Sequence, residues 1–232
     1  MAGWRWAGIL IAYFVAATAI SWAGREEKEA RSVSVVSKGG QRDVVQVLAN
    51  GGVYSMAAAL SAAIPAQYVV WGALGALAAA SADTWATEIG IWMGGNPRLI
   101  TNGTIVRSGT SGGITAAGML GSLSGAAWVA LCAMLAGFRG HGVVVAALIG
   151  GFGGSIIDSL LGATVQERRW CDACGEPTER IVHLCGATTR RVGGIVRLNN
   201  DVVNLLSTIA GFLLGVIVYC IARNFGHWGL IG

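Results

Sequence analysis

Three carboxylates lie inside stretches of sequence that are otherwise apolar enough for a membrane interior. Asp83 and Glu88 end a run that begins near Tyr68, and Asp158 lies in a later run. A charged side chain in a membrane helix costs at least ~2.5–3.5 kcal/mol on insertion scales, so such residues are candidates for function. Carboxylates are ligands of Mg²⁺, whose coordination is often completed by substrate phosphates. Asp83, Glu88 and Asp158 are therefore predicted to be catalytic and to hold magnesium.

Other polar residues accompany these carboxylates at helical spacing. The four polar stripes are Asp43, Gln46 and Asn50; Ser81, Thr84 and Glu88; Ser155, Asp158, Ser159 and Gly162; and Asn200, Asn204, Ser207 and Gly211. Residues three, four or seven apart lie on one side of a helix, so four helices can line one cavity. The alternative is helix packing, since Ser, Thr and Asn often join membrane helices by hydrogen bonds.

Basic residues and a glycine-rich turn suit a phosphate group near the same positions. Lys38, Arg42 and Arg98 could pair with phosphate oxygens, and catalytic roles are predicted for Lys38 and Arg42. The turn at 108–113 precedes a helical segment, where backbone N–H groups bind anions. The predicted nucleotide or metal contacts are Asp43, Asn50, Thr84, Arg98, Thr110, Ser111, Gly112, Asn199, Asn200, Asp201 and Asn204.

Cysteine and histidine residues cluster in one polar stretch of the chain. Cys171 and Cys174 form a C-x₂-C-G pattern, and His183 and Cys185 follow as H-L-C-G. Structural zinc takes four nitrogen or sulfur ligands, and a reducing cytoplasm keeps thiols free of disulfides. The four residues therefore predict a zinc site. The alternative is a loop with unligated thiols, because the single-residue gap between His183 and Cys185 is unusual among zinc ligands.

The elements that position these residues are predicted to be membrane helices. The chain of 232 residues is 54% hydrophobic and 12% charged, against about 25% charged in soluble domains. Six stretches reach the roughly 20 residues that span a bilayer: Trp4–Gly24, Val44–Ile64, Gln67–Met93, Ser111–Gly137, Val143–Ala163 and Val202–Ala222. We predict an all-α polytopic membrane helix bundle with about six transmembrane helices. It forms one integral membrane domain, 1–232, with a cytoplasmic loop insertion at 164–200 that carries the cysteines.

The distribution of charge predicts which side of the membrane each loop faces. Thirteen of the sixteen Lys and Arg residues lie in the loops after the first, third and fifth segments. Positively charged loops face the cytoplasm, so both termini are predicted outside and the polar stripes near the cytoplasmic end. This topology explains the net charge of +4 better than nucleic-acid binding does. The lipid bilayer is the expected partner, and the sequence leaves homo-oligomerisation open.

Several motifs together resemble the domain-of-unknown-function 92 family of membrane proteins. They are KGGQRD at 38–43 with QVLANGG at 46–52, ADT at 82–84 with EIG at 88–90, GTSGGIT at 109–115, GS at 154–155 with DSLLGAT at 158–164, and LNND at 198–201 with Asn204. The family includes the transmembrane protein 19 group and a plant phytyl-phosphate kinase. The Cys/His loop is similar to that of prokaryotic members, which implies a prokaryotic plasma membrane. Many members carry additional apolar segments before the first motif, whereas this chain has one.

The resemblance implies a kinase that acts on an isoprenoid monophosphate and yields the diphosphate. The phosphoryl donor would be a nucleoside triphosphate, and looser analogy with phytol and dolichol kinases favours CTP. Two other classes of function remain open: a CTP-dependent lipid nucleotidyltransferase, and a transporter of ions or lipid phosphates. All three could use the same carboxylates, but the transporter would need no nucleotide.

Overall fold

The computed structural model describes residues 3–32, 43–64 and 66–225. Within them lie the helices α1 (Gly3–Trp22), α2 (Arg25–Ser32), α3 (Val44–Ala63), α4 (Gln67–Met93), α5 (Ala116–Leu135), α6 (His141–Thr164) and α7 (Asn200–Phe225). The short strands are β1 (Arg98–Leu99), β2 (Gly113–Ile114), β3 (Arg168–Cys171), β4 (Glu176–Thr178) and β5 (Arg190–Gly193). β1 pairs with β2, and β3 lies between β4 and β5, all antiparallel. The predicted helical bundle is confirmed, because both sheets are small and lie between helices.

Among the described helices, five are long and apolar enough to cross a membrane by length and composition: α1, α3, α5, α6 and α7. α4, which carries Asp83 and Glu88, is outside this group. Its 27 residues nevertheless give a length of about 40 Å, more than the ~30 Å hydrocarbon core. Residues 71–82 of α4 are all buried, so this helix lies at the centre of the bundle. The bundle therefore has six long helices, as predicted, together with the short α2.

Glycines allow α4, α6 and α7 to pack so closely that their backbones are in contact. A Cβ atom placed on Gly75 would lie 2.3 Å from the carbonyl oxygen of Gly211, and one on Gly150 would lie 2.6 Å from the Cα of Gly75. Small residues permit this kind of packing between membrane helices. The contact holds α4 and α6, which carry Asp83 and Asp158, against each other.

Gly150→Val is expected to lower the free energy of unfolding by about 1–3 kcal/mol, because the added methyl groups meet backbone atoms that cannot move aside. Gly52→Val is the matched control, since Gly52 also lies in a helix and a Cβ atom there meets nothing within 4 Å. Thermal denaturation of both variants in one detergent measures the difference. Equal melting temperatures would contradict the close packing.

The structure departs from the predicted segments by five residues or more in two places. The fourth was predicted to begin at Ser111, but α5 begins at Ala116 because β2 precedes it and Thr115 caps it, accepting a hydrogen bond from the N–H of Gly118 at 2.9 Å. The charged stretch after α1 was predicted to be a loop, but its first eight residues form α2. By contrast, α4 has its predicted bounds.

The loop predicted at 164–200 lies between the end of α6 and the start of α7. Its strands β3 and β4 form a hairpin in which Cys171 pairs with Glu176. The N–H of Gly175 closes the turn by donating to the carbonyl of Cys171 at 2.8 Å. Gly175 has φ +67°, a conformation that glycine adopts without the steric cost of a side chain. β5 then returns along β3 and completes the sheet.

Candidate functional site

Residues from each of the four polar stripes predicted from the sequence line one cavity of about 510 Å³, a volume typical of small-molecule sites. α4 and α6 contribute residues near their C-terminal ends, and α3 and α7 contribute residues near their N-terminal ends. The turn at 108–113 and α2 add further walls. The predicted site residues in the lining are Asn50, Asp83, Thr84, Glu88, Thr110, Ser111, Gly112, Asp158, Asn200 and Asn204.

Two carboxylates from different helices meet in this cavity. Asp83 on α4 and Asp158 on α6 lie close enough for their side chains to interact directly. Oδ2 of Asp158 and Oδ1 of Asn204 are buried and have no hydrogen-bond partner among the described residues. Asn204 is only 4% exposed. Buried oxygen atoms of this kind are costly unless they are satisfied, and a bound cation would satisfy them.

Glu88 has a different environment from the other two predicted magnesium ligands. One of its carboxylate oxygens accepts a hydrogen bond from the Ser21 hydroxyl at 2.6 Å, and the other pairs with Nζ of Lys28 at 2.5 Å. Lys28 lies on α2 and also donates to two carbonyls at the end of α1. Both oxygens of Glu88 are thus engaged, which makes it less suited to magnesium than Asp83 or Asp158. Its interactions join α1 and α2 to α4.

Lys28→Met is expected to lower the free energy of unfolding by about 2 kcal/mol, less than the ~3–5 kcal/mol of a fully buried pair because the Glu88 side chain is 22% exposed. The double variant with Glu88→Gln should regain most of this loss, since no carboxylate is then left without a cation. Arg25→Met is the control: its side chain is 62% exposed, so loss of its pair should matter little. Chemical denaturation measures all three. If Lys28→Met were as stable as the wild type, the ion pair between Lys28 and Glu88 would not stabilise the fold.

The turn at 108–113 closes the cavity over the end of α6. Gly112 has φ +79°, and a Cβ atom there would lie 2.5 Å from the Cβ of Ala163. The Ser111 hydroxyl donates a hydrogen bond to Oε1 of Glu179. Because β2 and the Thr115 cap follow the turn, the turn does not lead directly into a helix as the sequence suggested. It presents its hydroxyl and N–H groups from a loop.

Glu179 is a cavity residue that the sequence analysis missed. It follows β4 and lines the cavity, where Nε2 of Gln166 donates to its Oε1 at 2.9 Å. Burial raises the pKa of the Glu179 carboxyl, while its hydrogen bonds from Ser111 and Gln166 oppose that rise. Glu179 also lies near enough to Asp158 for their charges to interact. No periodic pattern in the sequence marks this position, because it lies in an irregular loop.

Some predicted site residues lie elsewhere in the described structure or outside it. Asp43 caps α3 by accepting from the N–H of Gln46 at 2.9 Å, and Asn199 accepts from the N–H of Val202 at 3.1 Å near the start of α7. Arg98 lies in β1. The described residues of the lining do not include Asp43, Arg98, Asn199 or Asp201. Lys38 and Arg42 lie outside the described residues.

Carboxylates outnumber cations in the described lining of the cavity. The five carboxylates are Glu29, Asp83, Glu88, Asp158 and Glu179, and the two cations are Arg25 and Lys28. Each cation is paired with one of these carboxylates, at 2.6 Å for Arg25 and 2.5 Å for Lys28. Three carboxylates remain without a cation among the described residues. The described part of the lining therefore attracts cations, and a cation bound there would reduce its repulsion of a phosphate group.

The four predicted zinc ligands lie together, although they come from separate parts of the loop. The ligand atoms of Cys171, Cys174, His183 and Cys185, here called the Cys/His cluster, are all within 4.8 Å of one another. A hydrogen bond from the backbone of Ala187 is the main cause that lowers the pKa of the Cys185 thiol to about 6, and hydrogen bonds from His183 and Cys174 add smaller effects. Thiolate is the form of cysteine that binds metals. The cluster therefore has the donor atoms of a zinc site.

These features define an integral membrane helix bundle with an acidic cavity near one end of its helices. The chain belongs to the integral membrane protein family DUF92, whose profile matches residues 1–212. It is similar to Protein PGR of Arabidopsis thaliana, with 30% identity over 90% of this chain and 79% of that protein. An uncharacterized membrane protein of Methanocaldococcus jannaschii is 31% identical over 94% of this chain and 78% of its own length. One from Synechocystis sp. is 30% identical over 72% and 65%, respectively. No solved structure matches the chain significantly.

Proposed function

We propose that the protein is a membrane-embedded kinase that transfers the terminal phosphoryl group of a nucleoside triphosphate, CTP in the first instance, to an isoprenoid monophosphate. The observation that carries this proposal is the pair of Asp83 and Asp158, which meet in a cavity where an oxygen of Asp158 has no partner among the described residues. Such a pair suits a magnesium ion that also contacts phosphates. The resemblance of the sequence motifs to the family supplies the isoprenoid phosphate as the substrate class.

In the proposed reaction, an oxygen of the isoprenoid monophosphate attacks the terminal phosphorus of the nucleotide. The bond from that phosphorus to the bridging oxygen breaks, and the nucleoside diphosphate leaves with the electron pair. An ionised phosphate is already a nucleophile, so no side chain has to remove a proton. What the protein must provide is alignment of the two phosphates and compensation of their charge.

Different cavity residues would align the phosphates and compensate their charge. Asp83 and Asp158 would hold magnesium, which neutralises phosphate charge when it is bound. The hydroxyl of Thr110 and the backbone N–H groups of the turn at 108–113 would donate hydrogen bonds to phosphate oxygens. Lys38 and Arg42 precede α3 in the sequence, and they remain our candidates for further phosphate contacts. In this scheme the unpaired carboxylates recruit the cation, and the cation in turn recruits the nucleotide.

The apolar part of the lining supports a lipid-like acceptor. Trp22, Ile91, Met119 and Ile156 line the same cavity as the carboxylates. An isoprenoid monophosphate has an apolar chain and an anionic head, and both would find matching surface here. A polar acceptor such as a sugar phosphate would leave this apolar surface exposed to water, at a cost of roughly 25 cal/mol per Å².

We further propose that the cavity opens to the cytoplasm of a prokaryotic cell, with both termini on the outside of the plasma membrane. The concentration of Lys and Arg in three alternate loops supports this orientation. Nucleotides are cytoplasmic, so the orientation would also give the donor access. Labelling of cysteines introduced at the termini of the full chain, from outside intact cells, tests it: protection of both termini would overturn it.

Transfer of label from a nucleotide tests the activity directly. Purified protein is incubated with Mg²⁺, isoprenoid monophosphate, and CTP or ATP labelled at the terminal phosphate. Label in an isoprenoid diphosphate supports the kinase. Label released only as pyrophosphate would show that the protein is a nucleotidyltransferase and not a kinase. No Mg²⁺-dependent turnover with any nucleotide would exclude both enzymes and leave a transporter, which liposome uptake of the same lipid phosphate would then address.

A further inference from the structure

The Cys/His cluster and Glu179 belong to the same short loop, and the structure relates one to the other. We propose that the Cys/His cluster binds one zinc ion and that this ion fixes the position of Glu179, whose carboxylate completes the cation site of the cavity. The zinc site goes beyond the proposed function and is independent of it. The role of Glu179 toward a second cation rests on the proposed function.

The distances within the cluster fit a tetrahedral metal. Zinc–sulfur bonds of about 2.3 Å place two tetrahedral sulfur ligands roughly 3.8 Å apart, and the sulfurs of Cys171 and Cys185 are 3.7 Å apart. Nδ1 of His183 lies 3.3 Å from the sulfur of Cys185. A disulfide would require about 2.05 Å, and the three cysteines of the cluster, Cys171, Cys174 and Cys185, are all free thiols. One ion in the centre would satisfy the whole cluster.

The position of Glu179 in the chain explains how zinc would act on it. Glu179 lies between two ligands, five residues after Cys174 and four residues before His183. An ion that binds both ends turns the intervening segment into a short closed loop, which restricts its conformations. The β3–β4 hairpin fixes the first part of this segment. The second part has no strand of its own and is held to 187–189 by a bridge between Val182 and Thr188 and by the N–H of Thr189, which donates to the carbonyl of Ile181 at 3.0 Å. We infer that the metal reinforces these few contacts.

Two contacts join this loop to the turn at 108–113 that closes the cavity and to Arg107, the residue just before that turn. Arg107 pairs with Glu176 at 3.2 Å, and the Ser111 hydroxyl donates to Oε1 of Glu179. Gln166 donates to that same oxygen, so among the described residues both hydrogen bonds to this carboxylate end on Oε1. Oε2 remains available for a ligand. The orphaned oxygens of Asp158 and Asn204 in the same cavity give that ligand further donors.

Metal analysis of the purified full chain tests the zinc site. We expect about one zinc per chain in the wild type, loss of most of it in Cys174→Ser/Cys185→Ser, and retention in Cys174→His, which keeps a zinc ligand. Cys220→Ser is the matched control, because Cys220 is an exposed thiol on α7 and should leave zinc content unchanged. Wild-type zinc content in the double serine variant would overturn the site, whether or not the protein has kinase activity.

Hydrogen exchange and a magnesium titration test the link to Glu179. Removal of zinc by a chelator should speed amide exchange both in 172–185 and in the turn at 108–113, with α5 unchanged. Glu179→Gln should reduce the Mg²⁺-induced rise in melting temperature by at least half, whereas Glu176→Gln should keep it. Unchanged exchange at 108–113 after zinc loss would overturn the positioning role. A full Mg²⁺ response in Glu179→Gln would overturn the cation role and leave the zinc site standing.

Discussion

Asp158→Asn is expected to slow phosphoryl transfer by roughly 10³-fold or more, which equals about 4 kcal/mol of transition-state stabilisation. Asparagine has nearly the same size as aspartate but lacks the charge that holds magnesium. Asp83→Asn should have a similar effect, because the two carboxylates interact directly and would bind one ion between them. Residues that act as a unit give non-additive losses, so the double variant should be little worse than either single variant.

Stability measurements separate this loss of function from a loss of fold. Two neighbouring carboxylates repel each other, so the metal-free Asp158→Asn protein should melt at the same temperature as the wild type or higher. Its rise in melting temperature on addition of Mg²⁺ should disappear. Glu27→Gln on α2 is the control: Glu27 is exposed and outside the described cavity lining. Wild-type rates in both aspartate variants would refute the magnesium site.

Gly112→Ala is expected to lower turnover by about 10²-fold, the loss that a displacement of roughly 1 Å can cause in an active site. A Cβ atom at this position would lie 2.5 Å from the Cβ and 2.6 Å from the backbone nitrogen of Ala163. Ala163 is part of α6 and cannot retreat, so the turn must move instead. That movement would carry Ser111 away from Glu179 and shift the groups proposed to contact phosphate.

Gly103→Ala controls for backbone strain in this comparison. Gly103 has φ +72°, close to the +79° of Gly112, but a Cβ atom there meets nothing within 4 Å. Both substitutions carry a similar left-handed strain of about 1–2 kcal/mol, and only Gly112→Ala adds the clash. We expect Gly103→Ala to keep turnover within about threefold of the wild type. Equal losses in the two variants would show that strain, and not the position of the turn, limits activity.

The part of the site that lies on regular helices could be predicted from the sequence. Asn50, Asp83, Asp158 and Asn204 lie on α3, α4, α6 and α7, and spacing along a helix determines which residues share a side. The charge bias of the loops then indicated that these residues belong to one end of the bundle. The residue types and the helix directions together therefore predicted four walls of the cavity.

The contacts that cross between distant parts of the chain could not be predicted. Lys28 meets Glu88 across 60 residues, and Ser111 meets Glu179 across 68 residues. Sequence periodicity indicates neither contact, because one partner in each pair lies in a stretch whose only sequence signal is its polarity. The start of α5 was misplaced for a related reason: β2 forms by pairing with β1, and such pairing depends on a partner outside the helical window.

The composition of α4 has a consequence for how the protein is made. α4 carries Asp83 and Glu88. Among the long helices that the structure describes, it is the one that length and composition alone do not mark as able to cross a membrane. It should leave the translocon less readily than its neighbours. α5 can shield it, since Cβ atoms on Gly121 and Gly125 would lie only 2.7 Å and 2.6 Å from α4 carbonyl oxygens. We therefore expect membrane entry of α4 to depend on α5, the next long helix to be synthesised.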